Sequence, residues 1–325
     1  MTQAPARAPI SVDRRQAVLG AGAILASFGA PVLAQTAPVA SLGPDRLVLL
    51  GVRGGPLVTG YGSPLSASLI VASGAPLLID AGFGVTLKLL EAGIPLASLR
   101  RVFITHHHSD HNLELGPLLY NAWAAGLKDA IEVYGPAGLR ALLTGYWASN
   151  RFDIETRMAD EGRPDLRRLV HPHEFREGPI LTVPGLKVSA LRNRHPPIRE
   201  SYALKFELGS RTVVFSGDTT YLPALADFAR GADYLVHEAM YPAAVARLAA
   251  SRPNAARLAQ SIISHHTAVE DVGRIAALAQ VKTLVLNHFV PGDDPALPAE
   301  VWSNAAAAHF HGPIVVGRPL LSLPL

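Results

Sequence analysis

The chain has 325 residues, 49% hydrophobic and 17% charged, enough to bury a full core and too apolar for a disordered polymer. It contains no cysteine, which excludes disulfides, thiolate metal sites and cysteine nucleophiles, so any metal must be held by histidine and carboxylate. The formal charge is +3, and Arg7, Arg14 and Arg15 against Asp13 in the first 34 residues leave only +1 for the rest, no electrostatic footprint for nucleic acid.

At the N-terminus, Asp13-Arg14-Arg15-Gln16 leads into the apolar run Ala17 to Ala30, and Val32-Leu33-Ala34 supplies a small-residue cleavage site. Paired arginines ahead of a weakly hydrophobic stretch resemble a twin-arginine export signal over residues 1–34. The run is too short to span a bilayer. The expectation is a periplasmic or secreted protein that uses the twin-arginine machinery and has no stable membrane span. A Pro/Ala/Ser linker over 35–44 leads to one domain, 45–325.

Apolar β-type runs follow at Arg46–Val52, Ser66–Ala72 and Pro76–Ile79, with Gly and Pro in the gaps. Val85–Ala92 has helical apolar spacing, and Arg101–Ile104 is a short buried strand that ends in a cluster of histidines. Helical patterns at Asn112–Ala125 and Ala137–Ser149 flank a strand, Ile131–Tyr134. Residues Gly145 to Arg168 are polar without a clear period and are read as a helical cover over the site. The second half repeats the scheme. Strands are predicted at Leu186–Leu191, Ser201–Leu208, Arg211–Ser216, Asp233–His237, Thr283–Asn287 and Pro313–Val316, with helices at Tyr221–Ala229 and Ala268–Ala279. Strands then helices, twice over, predict an α+β chain of two sheets packed face to face with helices outside both, a four-layer αββα sandwich.

The chemistry concentrates in Thr105-His106-His107-His108-Ser109-Asp110-His111. In a turn leaving a strand, alternate positions project the same way, so His106 and His108 can share one metal while Asp110 and His111 reach a second. Imidazole and carboxylate without thiolate suit zinc, with iron or manganese admitted in one site. Three distant partners also sit where strands end: His195, Asp218 and His288. His107 and His266 read as supporting or exposed side chains, His171, His173, His309 and His311 as surface or core, and His237 as part of the sandwich.

The spacing and order of these residues resemble the metallo-β-lactamase superfamily over most of residues 45–320. The resemblance implies the αββα fold and two zinc ions, the first held by His106, His108 and His195, the second by Asp110, His111 and His288, with Asp218 bridging. Asp80, in Ile79-Asp80-Ala81-Gly82, matches the family's strand-end support. Three later motifs, Ser216-Gly217-Asp218-Thr219, His237-Glu238-Ala239 and Ser264-His265-His266-Thr267-Ala268, resemble ribonuclease Z and its arylsulfatase-like relatives. That branch implies His265 as the acid beside the metals, oriented by Glu238, with Asp110 both ligand and catalytic residue. The departure is His266, where ribonuclease Z usually has a small residue.

The expected reaction is hydrolysis of a small ester, aryl sulfate or phosphoester, by a metal-bridging hydroxide. A ribonuclease Z-like phosphodiesterase acting on tRNA 3′ ends is the alternative, and a lactonase a further one. The near-neutral charge and the lack of a basic arm in 145–170 favour a small-molecule partner over nucleic acid. A homodimer is compatible with the sequence. From outside enzymology, the rival is a metal-binding protein that has kept the fold and lost turnover.

Overall fold

Leu47 and Leu49 point to one face of their strand and Val48 and Leu50 to the other, and all four are buried. A strand apolar on both faces must lie between two covering layers, and that pattern sets the architecture. The computed structural model describes residues 42–58, 64–250 and 255–325. The expected export signal, 1–34, and most of the linker lie outside the described residues.

Among the described residues, fourteen strands form two seven-stranded sheets. The first contains β1 (Arg46–Gly51), β2 (Ala67–Ala72), β3 (Ala75–Ile79), β4 (Arg101–Phe103), β5 (Ile131–Gly135) and β6 (Val170–Glu174). The second contains β7 (Gly178–Val183), β8 (Leu186–Arg192), β9 (Tyr202–Leu208), β10 (Arg211–Phe215), β11 (Tyr234–Met240), β12 (Thr283–Val290) and β13 (Ile314–Val316). The last strand, β14 (Leu321–Pro324), returns to the first sheet and pairs antiparallel with β1. Each sheet is antiparallel on one side and parallel on the other: β3, β4, β5 and β6 run parallel in the first, as do β10, β11, β12 and β13 in the second. The two halves of the chain thus build equivalent sheets.

The core between the sheets joins Leu47, Leu49, Ile70 and Phe103 of the first to Val188, Phe206, Val213 and Phe215 of the second. Phe103 stacks on Tyr134 at 4.9 Å and takes Phe206 from the opposite sheet edge-on at 5.1 Å, an arrangement that suits the ring quadrupole. The outer face of the first sheet is covered by α1 (Val85–Glu91), α3 (Leu115–Ala124), α4 (Leu139–Ser149), α5 (Arg151–Glu161) and α6 (Leu166–Leu169), while the short α2 (Ser109–Asn112) buries polar residues. The outer face of the second is covered by α7 (Ala224–Phe228), α8 (Pro242–Ala250), α10 (Val269–Ala279) and α11 (Ala299–Ala307), while α9 (Ala255–His265) packs against α8. This is the αββα sandwich expected from the element order. No helix among the described residues is long and apolar enough to cross a membrane.

The structure differs from the sequence expectation in two places that bear on function. Residues 145–168 are mostly helical, but Ile154, Met158 and Leu166 pack into the outer core of the first sheet instead of covering the site. The strand expected to stop at Asn287 continues to Val290 through a bulge: Glu238 pairs with Asn287 and Ala239 with Phe289, leaving His288 as the extra residue. His288 adopts the left-handed region at φ 42, so the bulge turns its side chain out of the pleat.

Candidate metal centre

The C-terminal ends of the parallel strands of both sheets meet at one edge of the sandwich, where open α/β sheets present their ligand sites. Asp80 follows β3, Thr105 to His111 follow β4, Asp218 follows β10, Glu238 lies in β11 and His288 in β12. His195 enters from the loop after β8 and His265-His266 from the end of α9. Each functional side chain therefore leaves a hydrogen-bonded element, which holds it more rigidly than a free loop would.

Two donor groups result. His106, His108 and His195 gather round Asp218 in the first, and Asp110, His111 and His288 gather round the same Asp218 in the second. In the first, His108 Nδ1 lies 3.1 Å from His106 Nε2 and 3.0 Å from His195 Nε2, and Asp218 Oδ2 lies 3.7 and 3.9 Å from those two Nε2 atoms. In the second, His288 Nε2 is 3.3 Å from Asp110 Oδ2 and 3.2 Å from Asp218 Oδ2, and His111 Nε2 is 3.3 Å from Asp218 Oδ1. Donor atoms at zinc-to-nitrogen distance around one ion are separated by roughly 3.3 Å, and these spacings fall about that value. One carboxylate shared by two such groups is the arrangement of a two-metal site.

Three of the imidazoles are held by their far nitrogens. His106 Nδ1 lies 3.1 Å from the Thr105 hydroxyl, which itself donates to Asp80. His111 Nδ1 donates to Asp80 Oδ2 at 2.8 Å, and His195 Nδ1 donates to the His265 carbonyl at 2.9 Å. A proton fixed on Nδ1 leaves the Nε2 lone pair facing the centre, as a metal ligand requires. Asp80 also accepts from the Thr105 backbone N–H at 2.8 Å, so it supports the ligand loop as well as His111. On the other side of the centre, Gly55 N–H donates to Asp110 Oδ2 at 2.7 Å and Gly54 packs directly on the His288 ring.

The charge balance calls for a cation. Asp80, Asp110 and Asp218 are all buried, and their partners are imidazoles, one hydroxyl and backbone N–H groups. Burial disfavours a protonated His111, yet Asp218, Asp80 and Asp110 outweigh it and raise its proton affinity well above the ordinary value. Burial, with the neighbouring imidazoles, holds His106 well below the ordinary value and His195 down at about 4. These two are neutral rings with a lone pair to offer. His111 Nε2 and Asp218 Oδ1 are buried without a hydrogen-bond partner, a costly state for polar atoms that a bound cation would relieve. The residues fit metal ions.

Beside the centre, the structure corrects one assignment. Glu238, expected to orient His265, instead accepts from His266 Nδ1 at 2.9 Å, and its other oxygen accepts from the backbone N–H of Thr219 and Thr267 at 2.9 and 3.3 Å. His265 is the last residue of α9 and contributes its carbonyl to His195, while its ring stands 5.5 Å from the His195 ring. The helix ends between the two histidines, so only the second turns inward. Burial pulls His266 down, but the Glu238 carboxylate overrides it and lifts the imidazole to about 9; burial also raises Glu238, partly offset by His266.

The remaining histidines take supporting or peripheral places. His107 turns away to the Pro136 carbonyl and Asn112, and His237 is buried with Nδ1 donating to the Glu238 carbonyl at 2.7 Å. His171 and His173 share Glu132 on exposed strand faces, and His309 accepts from Arg274. The sequence reading missed the Arg53-Gly54-Gly55 turn after β1, whose only signal was the Gly-Gly-Pro that follows a strand. It also missed a cavity of about 420 Å³ that opens from the donor atoms and is lined by Pro56, Leu57, Leu258, Ile262, Val290 and His266 among others.

Comparison with known proteins agrees with this geometry. A family described as "Anti-Pycsar protein Apyc1" matches residues 46–249. A ribonuclease Z of Mycobacterium sp. strain KMS is 32% identical over 272 residues, covering 80% of this chain and 92% of that protein. The ribonuclease Z of Mycolicibacterium paratuberculosis is 30% identical over 274 residues, covering 80% and 94%. Among solved structures, the metallo-β-lactamase fold protein YhfI from Bacillus subtilis has a TM-score of 0.63 at 22% identity, covering 86% of this chain and all of that one. The short form of human tRNase Z has a TM-score of 0.60 at 20% identity, covering 86% and 98%. Zinc-bound PqqB from Methylobacterium extorquens has a TM-score of 0.59 at 15% identity, covering 86% and 100%. With a family match across more than half of its length and relatives at 30% identity or better over nearly their whole length, the chain belongs to the ribonuclease Z and Apyc1-like branch of the metallo-β-lactamase superfamily, as a metal-dependent hydrolase of ester bonds.

Proposed function

We propose that the chain is a dinuclear phosphodiesterase of the ribonuclease Z type, with zinc in both sites. The observation that carries the reading is Asp218, one buried carboxylate facing two separate groups of donor atoms. The ribonuclease Z names of the curated relatives support a phosphodiester over the sulfate ester that the sequence alone favoured. When bound, two metal ions supply Lewis acidity at the phosphoryl oxygens and activate water near neutral pH.

The chain's own residues do the rest. His106, His108, His195, Asp218, Asp110, His111 and His288 would hold the ions. The Asp80 and His265 oxygens keep the protons of His111 and His195 on the outer nitrogens. His266 lines the cavity beside Asp110 and Asp218, with Nδ1 committed to Glu238. Its Nε2 is then the atom that delivers a proton to the leaving oxygen, the part of a general acid. Glu238 keeps that ring oriented.

The test is initial rates of zinc-loaded protein on bis(p-nitrophenyl) phosphate, p-nitrophenyl phosphate, p-nitrophenyl sulfate and p-nitrophenyl acetate. The diester should be turned over fastest, and His266→Ala should lower its kcat about a hundredfold or more with metal content unchanged. His265→Ala should cost far less. A sulfate ester as the best substrate would overturn the reading.

A further inference from the structure

The cavity beside the donor groups is large enough for a small organic group and has one polar end. His108, Asp110, Asp218 and His266 stand at that end, and Pro56, Leu57, Leu258, Ile262, Val290 and Pro291 are the main apolar side chains among the other lining residues. Its volume of about 420 Å³ lies in the range of pockets that enclose small-molecule ligands. Polynucleotide binding needs lysine or arginine to neutralise successive phosphates. Among the described residues that line the cavity, Arg53 is the one arginine or lysine, and its Nε is already 2.9 Å from Asp293 Oδ2.

We infer that this cavity binds an aryl or comparably compact apolar group esterified to the phosphoryl centre, so that the substrate is a small apolar phosphodiester. The inference rests on the phosphodiesterase reading above and narrows its substrate. The phosphoryl group sits at the polar end, where the donor groups and His266 converge. One ester substituent extends between the α9 side chains Leu258 and Ile262 and the turn that carries Pro56 and Leu57. That turn is tied to the centre, because Gly55 N–H bonds the metal-group carboxylate Asp110 at 2.7 Å and Gly54 N–H bonds the Phe289 carbonyl at 3.1 Å. The wall and the centre therefore keep a fixed separation, and a substituent seated against the wall places its phosphorus at the donor atoms.

Two measurements test this. The first uses p-nitrophenyl diesters that share one leaving group and differ in the retained group, methyl against phenyl, and compares kcat/KM for wild type and variants. The phenyl ester should be favoured about ten- to a hundredfold, the range that burial of one aromatic ring supports. Leu258→Asn and Ile262→Asn should remove most of that preference. Ile263→Asn is the control on the same helix, since Ile263 is exposed and does not line the cavity, and it should keep the preference. Thermal denaturation of each variant shows that it has folded.

The second measurement is free of turnover: titration of diphenylphosphinate and dimethylphosphinate, whose P–C bonds the protein cannot hydrolyse, into the zinc-loaded protein by calorimetry. Diphenylphosphinate should bind at least tenfold tighter and with a more negative heat-capacity change. Equal rates and equal affinities for the two members of each pair would overturn the inference, and so would faster cleavage of an RNA oligonucleotide than of the phenyl diester. Failure of the underlying phosphodiesterase reading is recognisable separately, because then no diester is hydrolysed whatever its substituent.

Discussion

A single methyl group added at residue 54 should disable half of the metal centre. A Cβ built on Gly54 falls 2.6 Å from both Cε1 and Nδ1 of His288 and 2.7 Å from Val290 Cγ2. Ordinary carbon contacts begin near 3.5 Å, so the ring or the backbone must give by ~1 Å. Neither has an easy direction. His288 is buried in a bulge at φ 42, and the turn is pinned by Gly54 N–H to Phe289 O at 3.1 Å and by Gly55 N–H to Asp110. A shift of the ring moves Nε2 off its 3.2 Å approach to Asp218 and its 3.3 Å approach to Asp110. Gly54→Ala should therefore cost about 1–3 kcal/mol of stability through overpacking. It should also weaken the metal shared by Asp110, His111 and His288, while the His106, His108 and His195 site stays filled. Metal content after dialysis and chelator competition should read one tightly held zinc in place of two, with diester turnover lowered by at least an order of magnitude. Gly145→Ala is the contrast: it lies inside α4 with nothing near its Cβ, and should leave zinc binding alone and stabilise by up to ~1 kcal/mol through helix propensity. If Gly54→Ala binds two zinc ions as tightly as wild type, the close approach does not govern the second site.

Two further outcomes follow from the same geometry. Asp80→Asn keeps the shape but loses one acceptor among the Thr105 N–H, the Thr105 hydroxyl and His111 Nδ1; zinc affinity should drop about 10- to 100-fold, read by chelator competition, and an unchanged affinity would remove Asp80 from the ligand support. His237 is fully buried, and burial holds its imidazole down at about 4 against an ordinary 6.5. A folded value below the unfolded one means that the unfolded chain takes up the proton first, so this group lowers stability as pH falls from about 6.5 to about 4 and has no effect above. The full loss is on the order of 3 kcal/mol. Urea unfolding of metal-free protein at pH 7 and pH 5 should show it, and His237→Gln, which can still donate to the Glu238 carbonyl, should have the shallower dependence. Equal slopes in the two proteins would contradict the neutral buried state.

The motif from His106 to His111 was legible because it is local: a short strand, a turn and one helical turn place four donors without help from the rest of the chain. The layers were legible for a similar reason. Apolar residues on both faces of strands such as β1 and β10 require cover on both sides, and that requirement already points to two sheets with helices outside. Less could be read where geometry depends on a partner. β6, β7 and β14 have mixed or exposed faces, and β14 exists because the chain end finds the free edge of β1. The polar stretch 145–168 reads as a lid by its position, yet Ile154 and Leu166 are the residues that bind it down, and they face the outer core.

By itself, then, the sequence determined the chemistry: no thiol, a ligand set of histidine and carboxylate at strand ends, and a sandwich to carry it. Tertiary structure decided what surrounds that chemistry. Two adjacent histidines are equivalent as residues, and only the end of α9 and the reach of Glu238 select His266 over His265. The bulge at His288, the Gly54 contact beneath its ring and the apolar wall from Leu57 to Ile262 join segments about two hundred residues apart. Ligand type is a property of side chains and survives in one dimension; which side chain reaches which atom is a property of packing, and packing exists only once distant segments have met.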